Sequence, residues 1–94
     1  MFTKKKPIDK VRAMSLTPWE KYGDGSVLCL MEYDVRKIRR MKKDDIVDIL
    51  FEKTLQLYPF AIVSRHAEIS KELGVAYVRM RVPLHPGMHT DPIQ

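Results

Sequence analysis

Six of the eight residues from Arg36 to Lys43 are basic: Arg36, Lys37, Arg39, Arg40, Lys42 and Lys43. Cations at this density do one kind of chemistry well, displacing the counterions condensed on a polyanion and holding its phosphates. A second cluster, Lys4, Lys5 and Lys6, lies near the start of the sequence, where it suits a groove-tracking arm or a nuclear-import patch. Residues 1–43 hold twelve Lys or Arg against five acids, whereas residues 44–94 hold five against seven. Such an asymmetry points to nucleic acid, an acidic protein face or an anionic membrane surface as partner, without choosing among them. The competing reading of both clusters is a solvated charged surface.

Three further groups carry chemistry. Arg79 and Arg81 share one face of a strand with Tyr77, a combination that can hold phosphates and stack a base. The plainer reading is an amphipathic strand with its polar side in water, and no cluster of aromatics in either strand marks a stacking platform. Trp19 and Tyr22 bury much area for little entropy and are expected to act as partner-binding anchors. Residues 66–82 locally resemble a helix-turn-helix core, with Ser70 and Gly74 at the turn and Ile69, Leu73 and Val75 at the crossing positions. That resemblance implies a recognition helix bearing Tyr77, Arg79 and Arg81. The β-branched composition of residues 75–84 and the presence of Pro83 oppose it.

No constellation supports catalysis, a metal or a cofactor, and the sequence reads as non-enzymatic. Cys29 and His66 form a thiolate–imidazole pair only if the fold joins them, and a cysteine in an apolar strand is more often a small core residue. His85 and His89 are four apart, but Pro86 and Gly87 exclude the helix that would align them on a zinc ion. Asp44, Asp45 and Asp48 have a ready role at a helix start. The four glycines form no phosphate-binding loop.

The elements that must position these groups follow from periodicity. Ninety-four residues, 45% hydrophobic and 31% charged, suit one small folded domain. The lone cysteine and the lack of an apolar leader or membrane-spanning run suggest an intracellular protein, cytoplasmic or nuclear. Residues 1–25, with Pro7, Pro18, Gly23 and Gly25, read as an irregular basic arm, residues 26–84 as a single α+β domain, and residues 85–94 as a flexible tail. Within the domain, Val27, Cys29, Met31, Tyr33 and Val35 alternate as a strand over 26–38. Residues 44–57 read as the main helix, with Val47, Leu50, Phe51, Thr54, Leu57 and Tyr58 facing the core and Asp44 or Asp45 capping. Pro59 ends it.

Residues 60–73 admit two readings: a strand over 60–65 followed by a short helix, which is preferred, or one long strand through 70 turning at 71–74. Ala76, Val78, Met80, Val82 and Leu84 alternate as a further strand. The expected fold is thus a two- to three-stranded, mainly antiparallel sheet packed on one main helix. Two functions are expected: a nucleic-acid-associated protein gripping backbone phosphates through the basic clusters, extended by Arg79 and Arg81, or an adaptor, inhibitor or small subunit. The second would bind a protein or another copy of itself through an open sheet edge and the Trp19/Tyr22 arm.

Overall fold

Alternation builds the centre of the sheet. β2 (Val27–Asp34) buries Val27, Cys29, Met31 and Tyr33, and β4 (Val75–Val82) buries Ala76, Val78 and Met80. The two strands run antiparallel with Cys29 opposite Met80, Met31 opposite Val78 and Tyr33 opposite Ala76, so these side chains form one continuous apolar layer. The computed structural model of the chain describes residues 7–83. Its sheet has four strands in the order β1-β2-β4-β3, all neighbours antiparallel, with β1 spanning Arg12–Lys21 and β3 spanning Ile62–Ser70.

One helix, α1 (Lys43–Leu57), covers the apolar layer with Ile46, Ile49, Leu50 and Thr54. Thr54 ties the two layers together. Its hydroxyl donates to the Leu50 carbonyl at 2.7 Å, so the Tyr33 hydroxyl, 2.6 Å away, donates to Thr54 Oγ1. Both groups are fully buried, and a buried hydroxyl without a partner would cost about 1–3 kcal/mol. Val11 after a short 3-10 turn (Ile8–Lys10), with Val35 and Ile38 after β2, closes the edge of the core.

The α+β class and the main helix match expectation; the strand count and the arm do not. The sheet has four strands rather than two or three, because ten residues of the expected irregular arm form β1. Two bulges, between Ala13 and Ser15 and between Pro18 and Glu20, break its alternation, and every position is exposed. Neither a period of two nor a buried face therefore marks this strand. The expected tail, 85–94, lies outside the described residues.

Residues 66–70 are strand, not helix, so the preferred reading of 60–73 is corrected in favour of one long strand turning at 71–74. The helix-turn-helix resemblance falls with it: Tyr77, Arg79 and Arg81 lie on β4. Pairing of Ala67, Glu68 and Ile69 with Val78, Tyr77 and Ala76 overrides their local helical character. The helix keeps Leu50 and Thr54 of the expected stripe in the core, with Tyr58 packed against it, but its other expected positions are turned away. Ile46 and Ile49 are buried, while Val47 and Phe51 are half-buried and Leu57 is exposed. The residue before α1 is Lys42, which makes no side-chain cap, and Asp44 and Asp45 lie within the first turn instead.

Candidate nucleic-acid interface

The basic block occupies the connection between β2 and α1, and its backbone is fixed from within. Ile38 N–H donates to the Val35 carbonyl and Met41 N–H to the Ile38 carbonyl, each at 3.0 Å, while the Ile38 side chain is buried. Folding Ile38 inward turns its neighbours outward: Arg36, Lys37, Arg39, Arg40, Lys42 and Lys43 are all exposed. Lys42 and Lys43 also stand at the positive end of the α1 dipole, a position that disfavours cations. Asp44 and Asp45, in the same first turn, offset them.

Arg36 differs from the rest of the block. Its Nη2 lies 2.8 Å from Asp34 Oδ2, its Nε is within 3.2 Å of both carboxylate oxygens, and its backbone N–H donates to Oδ1 at 3.0 Å. Arg12 Nη2 approaches the same carboxylate at 3.6 Å. These contacts, the Arg36 side chain first, hold the Asp34 carboxyl down at about 2. The Arg36 side chain runs across Gly74, whose φ of +71° suits glycine and whose missing Cβ leaves the space for Arg36 Cγ.

Folding adds cations that the sequence did not single out. A concave surface of about 700 Å³ gathers Lys10, Arg12, Arg36, Lys37 and Lys53 around Asp9, Asp34 and Leu57. A second, of about 400 Å³, shares Arg36 and Lys37 with it and continues through Arg39 and Arg40. Together they present seven cations and two acids. Lys71, from the β3–β4 turn, donates to the Met41 carbonyl at 2.8 Å and brings one more charge to the loop. Pairing of β1 with β2 sets Arg12 opposite Asp34, a placement that no local pattern in the sequence marks. Lys4, Lys5 and Lys6 lie outside the described residues.

Arg79 and Arg81 are on the sheet face turned away from the helix, where the hairpin brings them Trp19 and Tyr22. Arg79 Cζ lies 5.5 Å from the Trp19 ring centroid, and Arg81 Cζ lies 4.2 Å from that of Tyr22. Arg81 is tied further, donating through Nε to Ser26 Oγ at 2.8 Å and through Nη2 to Asp24 Oδ2 at 3.2 Å. Ser26 donates its N–H and hydroxyl to the other Asp24 oxygen, and these bonds, with Arg81, lower the Asp24 carboxyl below its usual range. Arg81 is thus partly a fastening of the β1–β2 turn, while Arg79 lies within cation–π distance of Trp19 and remains exposed.

Cys29 and His66 are not brought together. Cys29 is buried on the helix side of β2, where burial pushes its thiol up, and His66 is exposed in β3. Among the described residues no group of three His, Cys, Asp or Glu could hold a metal ion, and no helix is long and apolar enough to cross a membrane. His85 and His89 lie outside them. Comparison of the chain with protein-family models, with curated proteins and with solved structures gives no match.

Proposed function

We propose that this protein is a non-enzymatic nucleic-acid-associated protein that holds backbone phosphates against the basic end of its sheet. The observation that carries the reading is the pair of adjoining concave surfaces that share Arg36 and Lys37 and together present seven cations and two acids, drawn from the 3-10 turn, β1, the β2–α1 loop and α1. Cations from four separate parts of the fold, set around one hollow, can contact several phosphates of one chain at once, and each contact releases condensed counterion. Phosphate contacts of this kind position a nucleic acid without reading its sequence. An intracellular setting, cytoplasmic or nuclear, goes with that role.

The test is a fluorescence-polarisation titration of labelled single- and double-stranded DNA and RNA over a range of salt. Binding whose log affinity falls linearly with log salt supports phosphate contact, and the slope counts the phosphates held. Absence of binding to every nucleic acid at low salt overturns the reading.

A second reading, a protein-binding adaptor or subunit, is favoured by β1 itself. All ten of its residues are exposed, Met14, Leu16 and Trp19 among them, and it lies at one edge of the sheet. An unpaired edge with apolar side chains accepts a strand from a partner. Under that reading Trp19→Ala costs more affinity than any change in the basic loop.

A further inference from the structure

The sheet face opposite α1 is assembled from segments that are far apart in sequence. Its residues fall in rows across the strands, about 7 Å apart because a strand rises ~3.3 Å per residue. At one end, Asp34 stands between Arg12 and Val75; the next row holds Glu32 between Ser15 and Tyr77, with Glu68 beyond. The third holds Leu30 between Thr17 and Arg79, and there the Trp19 ring lies under the Arg79 guanidinium. The aromatic cluster that neither strand carries alone is supplied by the β1 hairpin. Between Tyr77, Arg79, Leu30 and Glu68 the face sinks into a depression of about 300 Å³, at the lower end of the range for small-molecule sites. It lies beside the irregular pairing of β3, where Ser64 to His66 bulge between the pairs Val63–Met80 and Ala67–Val78.

We propose that this face stacks unpaired bases, so that the nucleic acid held by the basic end is single-stranded. The inference rests on the phosphate-binding reading above and names its substrate class. Two features of the face support it. Rings and guanidinium planes offer the π surfaces on which splayed-out bases stack irrespective of sequence. Trp19 is 59% exposed, and the Arg79 guanidinium over it is exposed too, so both present a face to solvent.

Charge supplies the second argument. The face carries Glu20, Glu32, Asp34 and Glu68 against Arg12, Arg79 and Arg81, so it is no surface for phosphates. A duplex, which shows phosphates on every approach, would set them against these carboxylates. A single strand can lay its phosphates on the basic end, which Asp34 and Arg12 join to the face, and turn its bases onto the rings. The carboxylate of Glu68 at the rim of the depression can then accept from a donor on the base edge, an exocyclic amine or the N3–H of thymine.

Trp19 is the only tryptophan of the chain, so its emission reports this face alone. The full chain is titrated with a labelled oligothymidylate of about 15 nucleotides and with a duplex of equal length, reading polarisation and tryptophan emission together. The expected result is quenching by the single strand but not by the duplex, and tighter single-strand binding at equal salt. Trp19→Leu and, separately, Tyr77→Leu should each weaken single-strand binding roughly five- to hundredfold and leave the salt slope and the duplex affinity unchanged. Circular dichroism checks that each variant keeps its sheet. Salt-dependent binding with no quenching and no effect of either variant overturns the stacking inference and leaves the phosphate reading standing. No binding to either probe at low salt overturns both and turns the face over to a protein partner.

Discussion

The basic loop and the open sheet face both depend on arginine, in opposite settings. Arg39 and Arg40 project into solvent and have no acid within ion-pair distance among the described residues. Arg79 and Arg81 lie over aromatic rings, and Arg81 is paired with Asp24 as well. The first setting leaves charge available and exposed to screening by salt. The second spends charge on fixing a plane in space, and the plane is what remains to offer a ligand. One region should therefore govern how steeply binding depends on salt, and the other whether the ligand must be single-stranded.

The largest expected effect comes from removing the charge. With Arg39, Arg40, Lys42 and Lys43 all replaced by Gln, the log–log salt slope should fall by about 3 and low-salt affinity by at least tenfold, for single strand and duplex alike. Polarisation titrations at several salt concentrations measure both. A loss confined to one form of nucleic acid would break the division of labour. Trp19→Leu sharpens it from the other side, with the same single-strand loss at every salt concentration and an unaltered slope.

The difference between the regions also explains what the sequence could show. The basic block is local: six charges within eight residues need no fold to be noticed. β2, β4 and α1 were legible for a similar reason, since each repeats one period against one buried layer. The open face is not local. Trp19 meets Arg79 only because β1 pairs with β2 and β2 with β4, and two bulges hide β1 from any search for alternation. Lys53 reaches the basic hollow from the far end of α1 in the same non-local way. Leu50 and Thr54 belong both to the expected helix stripe and to the buried one, but residues 46 and 49 on one side of them and residues 47 and 51 on the other equally satisfy helical spacing. Only the packed sheet selects between them, and Phe51 instead takes the Arg65 guanidinium 4.2 Å over its ring.

Gly74 is where the two regions are physically joined, since Arg36 crosses it to reach Asp34 and its carbonyl accepts from Val35 N–H at 2.8 Å. Gly74→Ala forces a side chain into a left-handed conformation and against Arg36, and should cost about 1–3 kcal/mol in urea unfolding. Thr54→Val gives the control, a fault in the core that touches neither surface. It strands the Tyr33 hydroxyl in a dry core and should cost about 1–3 kcal/mol. Tyr33→Phe, which leaves Thr54 still bonded to Leu50, should cost less, about 1 kcal/mol. Neither core variant should move the salt slope or the Trp19 quenching once the protein is folded. If either does, the surfaces are not independent of the packing beneath them.

The smallest effect is expected at Asp34, which belongs to both regions: it ends the open face on β2 and anchors Arg12 and Arg36 at the basic end. Its carboxyl is held at about 2 in the folded protein, against an ordinary value of 3.8, chiefly by the Arg36 side chain and then by the Arg36 N–H. As pH falls, the unfolded chain takes up this proton before the folded one does. The group's contribution to stability is therefore complete above about pH 4 and lost as pH falls towards about 2. Urea midpoints measured across that window should fall less steeply for Asp34→Asn than for the parent protein. The same substitution frees two guanidiniums from a carboxylate, so at neutral pH nucleic-acid affinity should rise and the salt slope steepen by no more than about two contacts. A variant that loses stability at neutral pH and gains affinity there would show that the carboxylate holds the two surfaces together at some expense of binding. A variant that loses both would show that Arg36 binds phosphate only when Asp34 aims it.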